Sequence, residues 1–172
     1  MQFQAQRDDA PLFSAMLLLH CQSMHNDLDR ILIDPSQIAL RIKEVAGQIA
    51  RDLSAQYEAT QTPPSSRQGQ LTLVPILTGS IIFLADLIRH LPMFMRIELI
   101  SVSSYPGVHT TPGKLRILTD LQKLDLEGKD VLLIDDILDS GQTLSAVADE
   151  LRQKNLASLR TCVLLRKNRQ AT

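Results

Sequence analysis

VLLIDDILDSGQTL, residues 131–144, decides the reading of this chain. Val131, Leu132, Leu133 and Ile134 form an unbroken apolar run, the pattern of a strand covered on both faces in a parallel sheet. Asp135 and Asp136 follow and are expected to end the strand. In open parallel sheets ligands collect in the crevice beyond the carboxyl ends of the strands, so an acidic pair there is aimed at a ligand rather than at bulk water. Asp139, Ser140, Gly141, Gln142 and Thr143 then supply hydroxyls, a glycine that lets backbone come close to a ligand, and the first N–H groups of a following helix. These are the parts of an anion site.

The helix is predicted because Leu144, Val147, Ala148 and Leu151 recur at three- and four-residue spacing, while Glu150, Arg152 and Lys154 lie on other faces. Thr143 therefore sits near its N-terminus, where unpaired N–H donors and the positive end of the helix dipole favour a phosphate. Two carboxylates beside such a cradle suit two vicinal hydroxyls or a Mg²⁺ ion with its water shell. Together these features suit a sugar phosphate. A strand, an acidic turn and a capped helix with no ligand is the simpler alternative, since Asp and Ser are common caps. Capping accounts for one carboxylate and not three.

Upstream, Leu77, Thr78, Gly79 and Ser80 lie between a predicted strand at 71–77 and a helix carrying Ile81, Ile82, Leu84, Ala85 and Leu87, which places a second phosphate loop at the same end of the sheet. Residues 103–114, SSYPGVHTTPGK, carry two glycines, two prolines and several hydroxyls between predicted strands and read as a long functional loop. Asp34 and Pro35 read as the N-cap and first residue of a helix whose core stripe is Ile38, Ile42, Val45, Ile49 and Leu53. The segment Thr60 to Gln70 is a Pro- and Ser-rich surface loop. With no internal repeat, strands and helices alternate through one α/β unit.

These segments together resemble the type I phosphoribosyltransferases, in their hypoxanthine/guanine branch. VLLIDDILDSGQTL is similar to the family's phosphoribosyl pyrophosphate signature. LTLVPILTGSIIFLADLIRHLP (71–92) resembles its strand, pyrophosphate loop and helix, and IELISVSSYPGVHTTPGKLRILTDL (97–121) its strand and catalytic loop. DLDRILIDPSQIALRIKEVAGQIARDL (27–53) resembles its first strand and helix, and SLRTCVLLRKNR (158–169) the strand after the signature.

The resemblance implies a Rossmann-like, mostly parallel sheet flanked by helices. It implies transfer of the 5-phosphoribosyl group from phosphoribosyl pyrophosphate to hypoxanthine or guanine, with Mg²⁺ neutralising the departing pyrophosphate. Asp135 and Asp136 would hold the ribose hydroxyls or the waters of Mg²⁺. Ser140, Gly141, Gln142 and Thr143 would fix the 5′-phosphate together with Asp139, which is the expected general base at the purine. Thr78 and Gly79 would grip the pyrophosphate, in a loop that often contains a cis peptide. Where the family commonly has Lys or Arg, this chain has Thr78, so that loop depends on main-chain and hydroxyl donors. Ser104 and Tyr105 match the pair that touches pyrophosphate when the loop closes. Lys167 matches the lysine that donates to the purine 6-oxo group and so selects 6-oxopurines. A homodimer or homotetramer is implied. Family members continue past this lysine into a base-binding hood, so the chain is expected to retain the sugar-phosphate half of the site and to be poorly active alone.

Composition agrees. The chain has 172 residues, 44% of them apolar, a net charge of −1 and only 3% aromatic residues, which speaks against a basic or base-stacking nucleic-acid surface. No membrane span is present in the sequence. Cys21 and Cys162 are too few and too unpatterned for a disulfide framework or a zinc site, so a cytoplasmic setting is expected; His109 reads as a solvated loop histidine rather than a catalyst, and His20, His25 and His90 lack metal-ligand spacing. APLFSAMLLL, residues 10–19, is apolar, but the residues before it pair Arg7 with Asp8 and Asp9 and supply no positive n-region for an export signal. Residues 1–24 are expected to be a disordered extension and 25–172 the core domain. Two rival classes use the same scaffold: a nucleotide-sensing regulatory protein, marked by a basic face and salt-dependent RNA affinity, and a non-catalytic subunit.

Overall fold

The computed structural model describes residues 31–63, 66, 70–104 and 115–167, and the chain divides into two compact units, residues 1–38 and 39–172. The expected boundary near residue 24 lies outside the described residues. In the first unit Asp34 begins helix α1, Pro35–Ala59, as predicted: its Oδ1 accepts from Ser36 N at 2.7 Å while its own N–H donates to Gln37 Oε1 at 2.9 Å. This reciprocal bonding satisfies amides that the first helical turn leaves without partners. The bonds from Ser36 favour the charged form and hold the Asp34 carboxyl below its ordinary value.

In the second unit, the buried seam of α1 is Ile42, Ala46, Leu53 and Tyr57. It differs from the predicted stripe in that Val45 and Ile49 are only partly buried and the helix runs on past Leu53. Among the described residues, two further α-helices and six strands follow α1: β1 Leu71–Leu77, α2 Ile81–Ile88, β2 Met95–Ile97, β3 Ile100–Ser104, β4 Leu115–Ile117, β5 Asp130–Leu138, α3 Gln142–Arg152 and β6 Ser158–Arg166. The sheet order is β4-β3-β1-β5-β6, with β2 also beside β1. All pairings are parallel except β3 with β4. The mostly parallel α/β sheet read from the sequence is therefore the observed one.

β2 pairs with Leu71 to Leu73 and β3 with Ile76 and Leu77, so residues 95–104 run along β1 as one interrupted strand. The interruption lies opposite Val74 and Pro75. Proline has no N–H to give a ladder and is rare in central strands, and here it falls where one neighbour has already broken its pairing.

Val74 and Ile76 of β1, Ile100 of β3, and Val131 and Leu133 of β5 cluster with Val147, Ala148 and Leu151 of α3. Because strand side chains alternate, Leu132 and Ile134 face the other way, toward the side where Ile49 and Leu53 of α1 approach Leu71 and Leu132. Residues 131–134 are all buried, as a doubly covered strand requires. One expectation is corrected. The acidic pair does not end β5, which continues to Leu138 because Asp135, Ile137 and Leu138 keep their ladder with Val163, Leu165 and Arg166 of β6. No helix among the described residues is long and apolar enough to cross a membrane.

Candidate active site at the carboxyl ends of the parallel strands

β1 leads through α2 to strands on one side of it, and β5 leads through α3 to β6 on the other. The connections diverge between two adjacent strands, which opens a crevice at their carboxyl ends. Asp135 and Asp136 stand on its β5 wall, partly buried and on opposite faces of the strand. Asp136 N donates to Asp135 Oδ1 at 3.1 Å, and Ile137 N to Asp136 Oδ1 at 2.8 Å. Burial raises the Asp135 carboxyl to about 6; the bond from the Asp136 N–H opposes the rise and the neighbouring carboxylate adds to it. No Lys or Arg among the described residues forms an ion pair with either carboxylate.

The β1 wall ends in Thr78 and Gly79, both exposed, after a Leu77–Thr78 peptide that is cis. Ser80 is fully buried; its Oγ donates to Ile76 O at 2.6 Å and its carbonyl accepts from Leu84 N at 2.8 Å, which fastens the loop to α2. Gly79 meets Asp136 directly. A Cβ at Gly79 would lie 2.5 Å from Asp136 Oδ2, so only glycine lets loop and carboxylate come this close.

The β5–α3 turn places Asp139 and Ser140 at the surface and Gly141 at the head of α3 with φ +78°, a left-handed conformation that favours glycine. No side chain caps the helix; Gln142 N reaches Ser140 Oγ only at 3.4 Å, and the first internal bond of the helix is Ser145 N to Gly141 O at 2.8 Å. The first-turn N–H groups, including that of the partly buried Thr143, thus lie at the open end of the helix, where an anion is stabilised. Lys167, just past β6, is brought to this turn: its N–H donates to Leu138 O at 3.0 Å and its Nζ lies 3.6 Å from Asp139 Oδ2.

Ser104 ends β3 opposite Leu115, and nothing is described of its side chain; Tyr105 lies outside the described residues. Sequence reasoning missed Ile137, an exposed apolar side chain on this lip between Asp136 and Asp139. The available signal was an isoleucine set among polar residues after the buried run. Among the described residues no group of three or more His, Cys, Asp or Glu side chains surrounds a metal position, so a cation here would be held by the acidic pair and by water. A depression of about 600 Å³ lies away from these groups, between Arg116 to Gln122 and the stretch from Ala146 to Lys154, and includes none of the predicted residues.

Residues 36–172 match the phosphoribosyl transferase domain family. The chain is similar to the hypoxanthine-guanine phosphoribosyltransferase of Mycobacterium bovis, 39% identical over 142 residues, which is 82% of this chain and 66% of that protein. It therefore spans about two thirds of the length of such relatives. Among solved structures it is similar to a hypoxanthine phosphoribosyltransferase from Staphylococcus aureus (TM-score 0.68, 35% identity, 84% of this chain and 71% of that one). The Trypanosoma cruzi hypoxanthine phosphoribosyltransferase in complex with its product IMP is also similar (TM-score 0.67, 39% identity, 81% and 71%).

Proposed function

This chain belongs to the phosphoribosyltransferase family, in its hypoxanthine-guanine branch, and from that premise we infer that it serves purine salvage. It transfers the 5-phosphoribosyl group of phosphoribosyl pyrophosphate to hypoxanthine or guanine, giving IMP or GMP and pyrophosphate. The bond from the anomeric carbon to the pyrophosphate oxygen breaks with its electron pair on the leaving group. A purine nitrogen forms the new bond, and the base gives up a proton.

The observation that carries this reading is the convergence of two phosphate-suited loops and two carboxylates on one crevice, sealed by the contact of Gly79 with Asp136. The open N-terminus of α3, with Ser140 to Thr143, suits the 5′-phosphate, and the Thr78–Gly79 loop suits the pyrophosphate. Asp135 and Asp136 suit the vicinal ribose hydroxyls. An acidic pair that lacks a cation of the protein among the described residues also suits hydrated Mg²⁺, which when bound would neutralise charge on pyrophosphate. Asp139, at the surface of the crevice, takes the proton of the purine, and Lys167 donates to its 6-oxo oxygen. Exposed Ile137 offers an apolar surface to the ring. A homodimer or homotetramer in the cytoplasm completes the proposal; a buried free thiol, Cys162, fits a reducing compartment.

Incubation with phosphoribosyl pyrophosphate, Mg²⁺ and either base, with IMP or GMP followed by chromatography, tests the reading. Asp139→Asn lowers turnover by about 10²-fold or more, the usual contribution of a general base, and weakens donor binding far less. Equal losses in turnover and donor binding would reject the base assignment.

A further inference from the structure

The ion pair between Lys167 and Asp139 joins the two side chains to which the proposed function gives different tasks. Asp139 directly follows β5 and Lys167 directly follows β6. Arg166 pairs with Leu138 in the parallel register of β5 and β6, and the bond from Lys167 N to Leu138 O carries that register one residue further. The backbone itself thus delivers the ammonium to the turn that holds Asp139. We propose that Lys167 is a positioning residue for Asp139, holding its carboxylate charged and directed toward the crevice until a carbonyl oxygen of the incoming base takes over the ammonium.

This inference rests on the transferase reading. The physical reason is that a carboxylate competent to accept a proton must arrive ionised. A cation within ion-pairing distance favours the charged form of a carboxylate. Arg166 closes β6 and Lys167 follows it, while α3 begins with no acidic residue in its first turn. Of these, Lys167 Nζ lies 3.6 Å from Asp139 Oδ2, within ion-pairing distance. Both side chains are about half exposed or more, so the effect is that of a surface pair and is weakened by salt.

The test is ¹³C NMR titration of carboxyl-labelled aspartate in the ligand-free protein, with the Asp139 resonance assigned by its loss in Asp139→Asn. The midpoint rises in Lys167→Met by about 0.2–0.7 pH unit, the scale of an exposed pair, and returns toward the wild-type value in Lys167→Arg. In kcat/KM for the purine at saturating donor, the acid limb of Lys167→Met rises by a similar amount. An unchanged midpoint in Lys167→Met, an equal rise in Lys167→Arg, or an acid limb that stays in place while only the purine KM increases would each overturn the proposal. The titration needs no turnover, so failure of the wild type to form nucleotide sinks the transferase reading separately.

Discussion

Asp135 shows at the scale of one residue how a carboxyl placed at a proposed site opposes the fold that carries it. Burial raises its carboxyl to about 6, so the folded chain holds that proton more tightly than the unfolded chain, whose carboxyl stays near the ordinary 3.8. Its contribution is nil below the ordinary value; destabilisation builds as pH rises from about 3.8 to about 6 and is fully present above that. Asp135→Asn is therefore expected to raise the melting temperature at pH 7–8, with a smaller gain near pH 5, when melts are recorded without Mg²⁺; a gain independent of pH would contradict this. The same variant weakens binding of the phosphoribosyl donor. Gly79 acts by having no side chain: in Gly79→Ala the methyl would lie 2.5 Å from Asp136 Oδ2, and carboxylate or loop must move. Donor affinity measured by calorimetry is expected to fall about tenfold or more, the scale of one lost hydrogen bond to a charged group. Retained affinity would mean that Asp136 does not need its present place.

At the scale of the element, α3 was largely legible in advance. The spacing of Val147, Ala148 and Leu151 is a helical stripe, and all three are buried against the sheet. The start of the helix was legible too, because Ser140-Gly141 combines a turn former with the residue that tolerates positive φ. In Gly141→Ala a side chain would meet only ordinary contact, at 3.5 Å from Leu138 Cδ1, so its cost comes from the +78° φ and is expected to be about 1–2 kcal/mol in urea unfolding. Gly141→Asn costs less, since Asn visits that region more readily. The end of β5 was misread. Asp135 and Asp136 look like a strand terminus by composition, yet the ladder to β6 continues through Leu138, because the hydrogen-bonding partner and not the side chain decides where a buried strand stops.

Across the whole molecule, polar contacts between distant segments hold α1 on the sheet at the end opposite the crevice. Asp130, almost fully buried, accepts from Gln56 Nε2 at 2.8 Å and from Ser158 Oγ at 2.5 Å, while Arg160 Nη2 donates to Gln56 Oε1. Gln56→Ala removes one donor from a buried carboxylate and is expected to cost about 1–3 kcal/mol, read by urea unfolding, with little change in donor affinity because the crevice lies at the other end of β5. Nothing in the sequence announced this network, whose members stand 74 and 104 residues apart. By itself the sequence determined the class of fold and which polar groups stand at the ends of β1 and β5, since apolar runs, helical stripes and the Asp-Asp, Ser-Gly-x-Thr and Thr-Gly segments are local patterns whose physics acts within a few residues. Only the tertiary structure decided that Gly79 touches Asp136, that Lys167 reaches Asp139 and that Gln56 serves Asp130, because each of those contacts is set by strand register and helix packing, which bring together groups that no local spacing relates.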